Sequence, residues 1–308
     1  MELLPGGKRI LVSEMAVGEH QPGKFVYLDI DTNLMTEVAT ERGGSGDWGD
    51  PACRQRSPQE LSPHGIHLSR TPEGRLLLLA INHGEPESVN AYEVTDGAAG
   101  VRLRWRGCVD TSYNFNDIAA TADGFVATHM FDKALGTGPQ AEKYLFGGGN
   151  TGFAVRWSKK AGFVRIVGTE AGFPNGINVS ADGRFAWMGA TSGREVRKID
   201  LSRNVQIAKA ALPVAADNLS WTPAGQLLAT GAMDVHTLVE CSDHGRSCPV
   251  AFAVVRIDPD TLRNRIVFRS DGRLLLGASV ALVARGHLYL GSSTGDHLLR
   301  ALAPPTLD

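Results

Sequence analysis

Residues 61–94 read LSPHGIHLSRTPEGRLLLLAINHGEPESVNAYEV. A Pro63-His64-Gly65-Ile66 opening is followed by a turn at Thr71-Pro72-Glu73-Gly74. An apolar run, 76–81, ends in Asn82-His83, and a second run, 88–94, follows an acidic turn. Short apolar runs bounded by Gly, Pro and Asp read as antiparallel strands. His64 opens one strand and His83 closes the next, and antiparallel pairing returns two such ends to one sheet edge.

The middle of this unit recurs. Pro5-Gly6-Gly7, Pro72-Glu73-Gly74, Ala122-Asp123-Gly124, Ala181-Asp182-Gly183, Pro223-Ala224-Gly225 and Arg285-Gly286 each precede an apolar run. Gly accepts the positive φ that such turns need. Six copies with several short strands each predict an all-β, six-bladed β-propeller filling residues 1–308 as one domain. Helical periodicity is poor. Residues 197–211 are the best helix candidate, and an edge strand fits them as well. The stretches 43–56 and 133–152 read as excursions over one face.

With 31 basic and 33 acidic residues, the net charge is −2, and no basic block stands out. Nothing therefore argues for nucleic acid or an anionic membrane as partner. No apolar run reaches the length of a bilayer span. The chain opens Met1-Glu2-Leu3-Leu4-Pro5 with no signal-peptide pattern, so it is cytoplasmic or lacks an upstream leader. Of the four cysteines, Cys241 and Cys248 bracket a polar loop. They are two free thiols or a loop-closing disulfide. The disulfide, together with a missing leader, would place the protein outside the cytoplasm, in a periplasm or secreted. A zinc site with His244 is a further option, though the spacing matches no standard pattern. Cys53 and Cys108 are uninformative.

Chemistry enters through a recurring slot. Asn116-Asp117 precedes Gly124, Asn175 precedes Gly183, Asp217-Asn218 precedes Gly225 and His64 precedes Gly74, each by seven to ten residues. Such pairs are also ordinary strand-opening and turn residues. Their recurrence in successive units, on inner strands that a propeller directs to its axis, predicts instead a cage of oxygens suited to Ca2+.

These residues carry a family resemblance over nearly the whole chain. Pro63-His64-Gly65-Ile66, Asn82-His83, Asn116-Asp117-Ile118, Asn175-Gly176-Ile177-Asn178, Asp217-Asn218 and the stretch 277–291 resemble the paraoxonase/arylesterase family. The sequence looks more distantly like the gluconolactonase and strictosidine-synthase-like propellers. The resemblance implies two axial calcium ions. Asn116, Asn175, Asp217 and Asn218 would hold the catalytic ion; Asp117 and the carbonyl of Ile66 would hold the structural one. His64 would be the base and His83 its helper, acting on a small lactone or aryl ester. A sugar-lactone or strictosidine-synthase-like enzyme, and a non-catalytic scaffold with structural calcium, are the rivals.

The chain departs from the family pattern in three ways. The slot for a first-blade acidic pair falls ahead of Met1, which suggests a truncated N-terminus and a weakened calcium site. The disulfide joining the two ends in animal members has no counterpart. Gly84 replaces the proline of the animal members, which would loosen His83. Substrate identity and oligomeric state are not legible in the sequence.

Overall fold

The computed structural model describes every residue except 17–21, 42–45, 54–59, 137–138, 238–248 and 308. The loop around Cys241, His244 and Cys248 lies outside the described residues. Strands dominate, and they assemble into six sheets in chain order. The first holds β1 (Glu2–Leu3), β2 (Arg9–Glu14), β3 (Lys24–Asp29) and β4 (Leu34–Glu37). The second is built on β7 (Pro63–Arg70), β8 (Leu76–Asn82), β9 (Ser88–Gly97) and β10 (Gly100–Asp110). Its outer strand is joined in parallel by β5 (Ala39–Glu41) and β6 (Trp48–Gly49).

The third comprises β11 (Phe115–Thr121), β12 (Gly124–His129), β13 (Phe153–Ser158) and β14 (Gly162–Arg165). The fourth is β15 (Pro174–Val179), β16 (Phe185–Ala190), β17 (Glu195–Asp200) and β18 (Val205–Ala211). The fifth is β19 (Ala215–Trp221), β20 (Leu227–Ala232), β21 (Phe252–Ile257) and β22 (Asn264–Ser270). The sixth is β23 (Ala278–Ala284), β24 (His287–Ser292) and β25 (Leu299–Leu302). Six consecutive meandering sheets are the blades of a β-propeller, the fold class that the repeat predicts.

Five of the six repeat glycines fall between the first and second strand of a sheet, and Gly124 opens the second strand of its own. Gly7, Gly74, Gly183, Gly225 and Gly286 have φ between 64° and 86°. Gly124 is the exception. A Cβ there would lie 2.0 Å from the Trp157 carbonyl oxygen, so close strand approach rather than turn geometry requires glycine.

Residues 197–211 are not helical; they supply parts of β17 and β18, paired antiparallel. Both Arg197 and Lys198 are buried, alongside Val196 and Ile199, which blurs the alternation expected of a strand. Arg197 is satisfied by Glu195, by Gln206 and by the Gly168 carbonyl. A described helix of eight residues, α1 (Pro139–Phe146), lies instead inside one predicted excursion. Proline is pre-organised for the first helical position, and Ala141 and Leu145, four residues apart, bury one face.

Two compact units emerge from the packing. One is Met1–Ala127 with Arg156–Val164, and the other is Thr128–Val155 with Arg165–Asp308. The first is centred on Leu4, Leu11, Phe25, Leu78, Tyr92 and Leu103. The second holds two clusters, one around Val196, Leu227, Ala253 and Ile257, the other around Val254, Leu288 and Leu290. Cys53 and Cys108, uninformative in the sequence, form a disulfide inside the first core, with Cα atoms 5.4 Å apart. No described cysteine is free. No described helix is long and apolar enough to cross a membrane.

Candidate active site

The polar slots coincide with breaks in strand register. β7 and β8 slip between Pro63 and Ile66, which leaves His64 and Gly65 outside the ladder. The slip between Pro174 and Ile177 does the same for Asn175-Gly176. That between Ala216 and Leu219 frees Asp217-Asn218. The sixth sheet slips between Ala278 and Val280, around Ser279. A bulge bends its strand and re-aims the extra side chain, which is why bulges gather beside functional sites.

In the first unit, the His64 carbonyl accepts a hydrogen bond of 2.6 Å from the Ser13 hydroxyl. The imidazoles of His64 and His83 meet through Nδ1 and Nε2 at 3.0 Å. On its far side, His83 Nδ1 lies 2.5 Å from Glu87 Oε1. Burial, with His83 adding, pushes His64 down to about 3, so near pH 7 its ring is neutral and less basic than a free imidazole. Gly65 abuts the third sheet: a Cβ there would lie 2.5 Å from the Asn116 carbonyl oxygen and 2.6 Å from Asp117 Oδ1. Asn116 and Asp117 are both buried, and the Ile66 side chain belongs to the core, which leaves its backbone for any ligand role.

A first-sheet acid does reach Asp117 electrostatically. Burial raises the Glu2 carboxyl to about 7, opposed by the terminal ammonium and the Leu68 N–H and reinforced by Asp117. The sequence reading placed the first-blade acids ahead of Met1, and it passed over Glu2. Glu2 is half-buried and Asp117 buried, and their mutual repulsion is the kind of strain that a cation would relieve.

Gly84 does not loosen His83. A Cβ at Gly84 would sit 2.2 Å from the Glu60 carbonyl oxygen, so only glycine fits. The buried Asn82 side chain accepts from the Ser62 N–H at 2.7 Å and donates to the Glu60 carbonyl at 3.1 Å. The His83 N–H donates to the Ser62 carbonyl at 2.9 Å. His83 is thus fixed by its neighbours on both sides.

In the second unit, Asn175, Asp217 and Asn218 come together. A Cβ on Gly176 would lie 2.6 Å from the Asn218 Cα and 2.6 Å from the Asp217 carbonyl oxygen. Asn175 donates through Nδ2 to the Thr191 hydroxyl at 3.0 Å, and that hydroxyl donates to the Ala216 carbonyl at 2.7 Å. The Thr128 hydroxyl donates to the Asn175 carbonyl. These bonds fix the amide, while its buried Oδ1 accepts no hydrogen bond among the described residues. Asn218 Nδ2 donates to Asp217 Oδ1 at 3.0 Å and to the Ser279 carbonyl at 3.3 Å, which leaves its own oxygen as an acceptor. An orphaned buried amide oxygen, on a strand whose backbone packs against that of Asp217 and Asn218, is the type of donor that a hard cation takes.

Replacing Gly176 by Ala is expected to cost about 3 kcal/mol, because the new methyl meets backbone that cannot yield. Gly189→Ala, whose Cβ would find its nearest neighbour at 3.5 Å, is the tolerated control. Urea denaturation of both variants checks the difference; equal stabilities would show that the β15–β19 approach is looser than described.

A propeller blade carrying a hydrogen-bonded histidine pair, with oxygen-rich slots on successive blades, defines a candidate hydrolase of activated carbonyl compounds. Comparison with known proteins agrees. The arylesterase family matches residues 16–302, and the chain belongs to that family. Human serum paraoxonase/arylesterase 1 is 24% identical over 316 residues, covering 95% of this chain and 82% of its own. Human serum paraoxonase/lactonase 3 is 21% identical over 310 residues, with the same coverage. Among solved structures, the periplasmic gluconolactonase of Pseudomonas aeruginosa superposes with a TM-score of 0.50 at 13% identity, covering 98% of this chain and 80% of that one. This last likeness bears on the fold alone.

Glu87, Glu2, Thr191 and Ser279 escaped the sequence reading. Glu87 stands four residues after His83, in a turn that reads only as acidic. Thr191 and Ser279 lack the Asn or Asp signature of the slot.

Proposed function

We propose that this protein is a calcium-dependent hydrolase of lactones or aryl esters. The observation that carries the reading is the His64–His83 pair, 3.0 Å apart, in a chain of the arylesterase family. The names of its relatives, arylesterase and lactonase, supply the substrate class. Asn116, Asn175, Asp217 and Asn218 would hold the catalytic calcium, and Asp117 with the Ile66 carbonyl would hold a second ion. A calcium held there would supply Lewis-acid polarisation of the ester carbonyl and charge stabilisation for the oxyanion. His64 takes the proton from the attacking water, and His83 holds His64 in orientation. The buried Cys53–Cys108 disulfide supports an oxidising compartment outside the cytoplasm.

A panel of lactones and aryl esters, assayed with and without calcium, tests the reading. Hydrolysis that chelation abolishes is the expected result. A chain that binds calcium and hydrolyses nothing would be a scaffold instead. Asp217→Asn removes the carboxylate contributed by the second unit's set, and charge count governs calcium affinity. Calorimetric titration should show a Kd raised roughly 10-fold or more, and an unchanged Kd would remove Asp217 from the ligand set.

A further inference from the structure

The histidine pair does not end at His83. Its Nδ1 points at the Glu87 carboxylate, 2.5 Å away, and both side chains are nearly enclosed, 13% and 11% exposed. The Glu87 backbone is itself held, because its carbonyl accepts from the Thr111 N–H at 3.1 Å. Beyond it, Ser88 and Asn90 are buried, and Asn90 Nδ2 donates to the Ser88 hydroxyl at 3.0 Å. Asn90 Oδ1 in turn accepts from Trp105 Nε1 at 3.0 Å. Glu87 therefore stands on an ordered polar platform rather than on a free turn.

We propose that Glu87 is a positioning residue that fixes the tautomer of His83 and, through it, that of His64. The inference rests on the reading of His64 as the base. A carboxylate only accepts hydrogen bonds. His83 must then carry its proton on Nδ1 and donate it to Glu87. That leaves Nε2 of His83 as an acceptor, to which Nδ1–H of His64 donates. Nε2 of His64 is left with a lone pair, free to accept a proton from water. The opposite tautomer of His83 would set its Nδ1 lone pair against the Glu87 carboxylate and, by donating from Nε2 to His64 Nδ1, leave His64 with its own proton on Nε2, where it could not take one from water. A carboxylate behind an imidazole performs this service in hydrolytic triads; here the same logic runs through two imidazoles.

The test uses uniformly 15N-labelled full-length protein, wild type and Glu87→Ala, with Glu87→Gln as the conservative variant. Long-range proton–nitrogen spectra report which ring nitrogen of His83 is protonated. In the wild type Nδ1 should carry the proton, at a strongly downfield shift that Glu87→Ala abolishes. On the substrate hydrolysed best by the wild type, kcat of Glu87→Ala should fall roughly 10-fold or more, with KM within about 2-fold. Glu87→Gln, which can still present an oxygen, should recover part of both signals. A wild-type His83 protonated on Nε2, or an unchanged tautomer and kcat in Glu87→Ala, would overturn the proposal. A wild type that hydrolyses nothing overturns the base reading and this role with it, a failure that the Glu87 variants alone cannot produce.

Discussion

Replacing His64 by Gln is expected to lower lactone or aryl-ester hydrolysis by roughly 10²-fold or more, the usual contribution of a positioned general base. Glutamine fills a similar volume and can still donate to His83, so the blade should keep its fold; what it lacks is a nitrogen lone pair. The loss should fall on kcat, since His64 acts on water rather than on the part of the substrate that gives binding energy. Steady-state kinetics at saturating calcium measure the change. Activity at the wild-type level would leave metal-held water as the nucleophile with another acceptor for its proton, and the His64–His83 contact would then be structural. Burial keeps the His64 ring neutral at ordinary pH and lowers its basicity, so the polar setting that substrate and ion bring would have to raise it for efficient proton transfer.

Removing the Cys53–Cys108 disulfide should be the larger blow to stability. The two cysteines are 55 residues apart. Opening a loop of that length releases the unfolded chain from a constraint worth roughly 4 kcal/mol. Both sulfurs belong to the core that also holds Leu78, Tyr92 and Leu103, so the Cys53→Ser/Cys108→Ser variant additionally buries two hydroxyls where the disulfide sulfurs were. Thermal melts of the wild type with and without reductant, beside the double variant, check this. The reduced protein and the variant should both melt well below the oxidised form, and the variant should ignore reductant. Coincident melts under all three conditions would mean that the chain relies on packing alone there.

Much of the fold was legible because glycine has few substitutes. Gly7, Gly74, Gly183, Gly225 and Gly286 mark hairpin turns that need positive φ, and together with Gly124 their recurrence counts the six blades. The polar slots were legible because the same residue types recur at nearly the same distance from those turns. What stayed hidden depends on partners remote in sequence. The disulfide joins two cysteines with no local pattern. Gly84 owes its identity to the Glu60 carbonyl, which no reading of residues 82–87 reveals. Glu87 lies near His83 in sequence, but only the fold turns it onto Nδ1. Helix α1 is eight residues long, too short to show a period inside a glycine-rich loop.

The register slips have a consequence for how such a molecule can change over time. A residue inside a strand ladder is constrained twice, by its pairing partner and by the alternation of faces. His64, Asn175, Asp217 and Ser279 sit where pairing lapses, between positions such as Ile66, Ile177, Leu219 and Val280 that restore it at once. Substitution at the lapse leaves the ladder on either side intact. On the proposed roles, a side chain at a lapse can be exchanged for another while the pairing on either side persists, and only a glycine pressed against backbone, such as Gly176, resists the exchange.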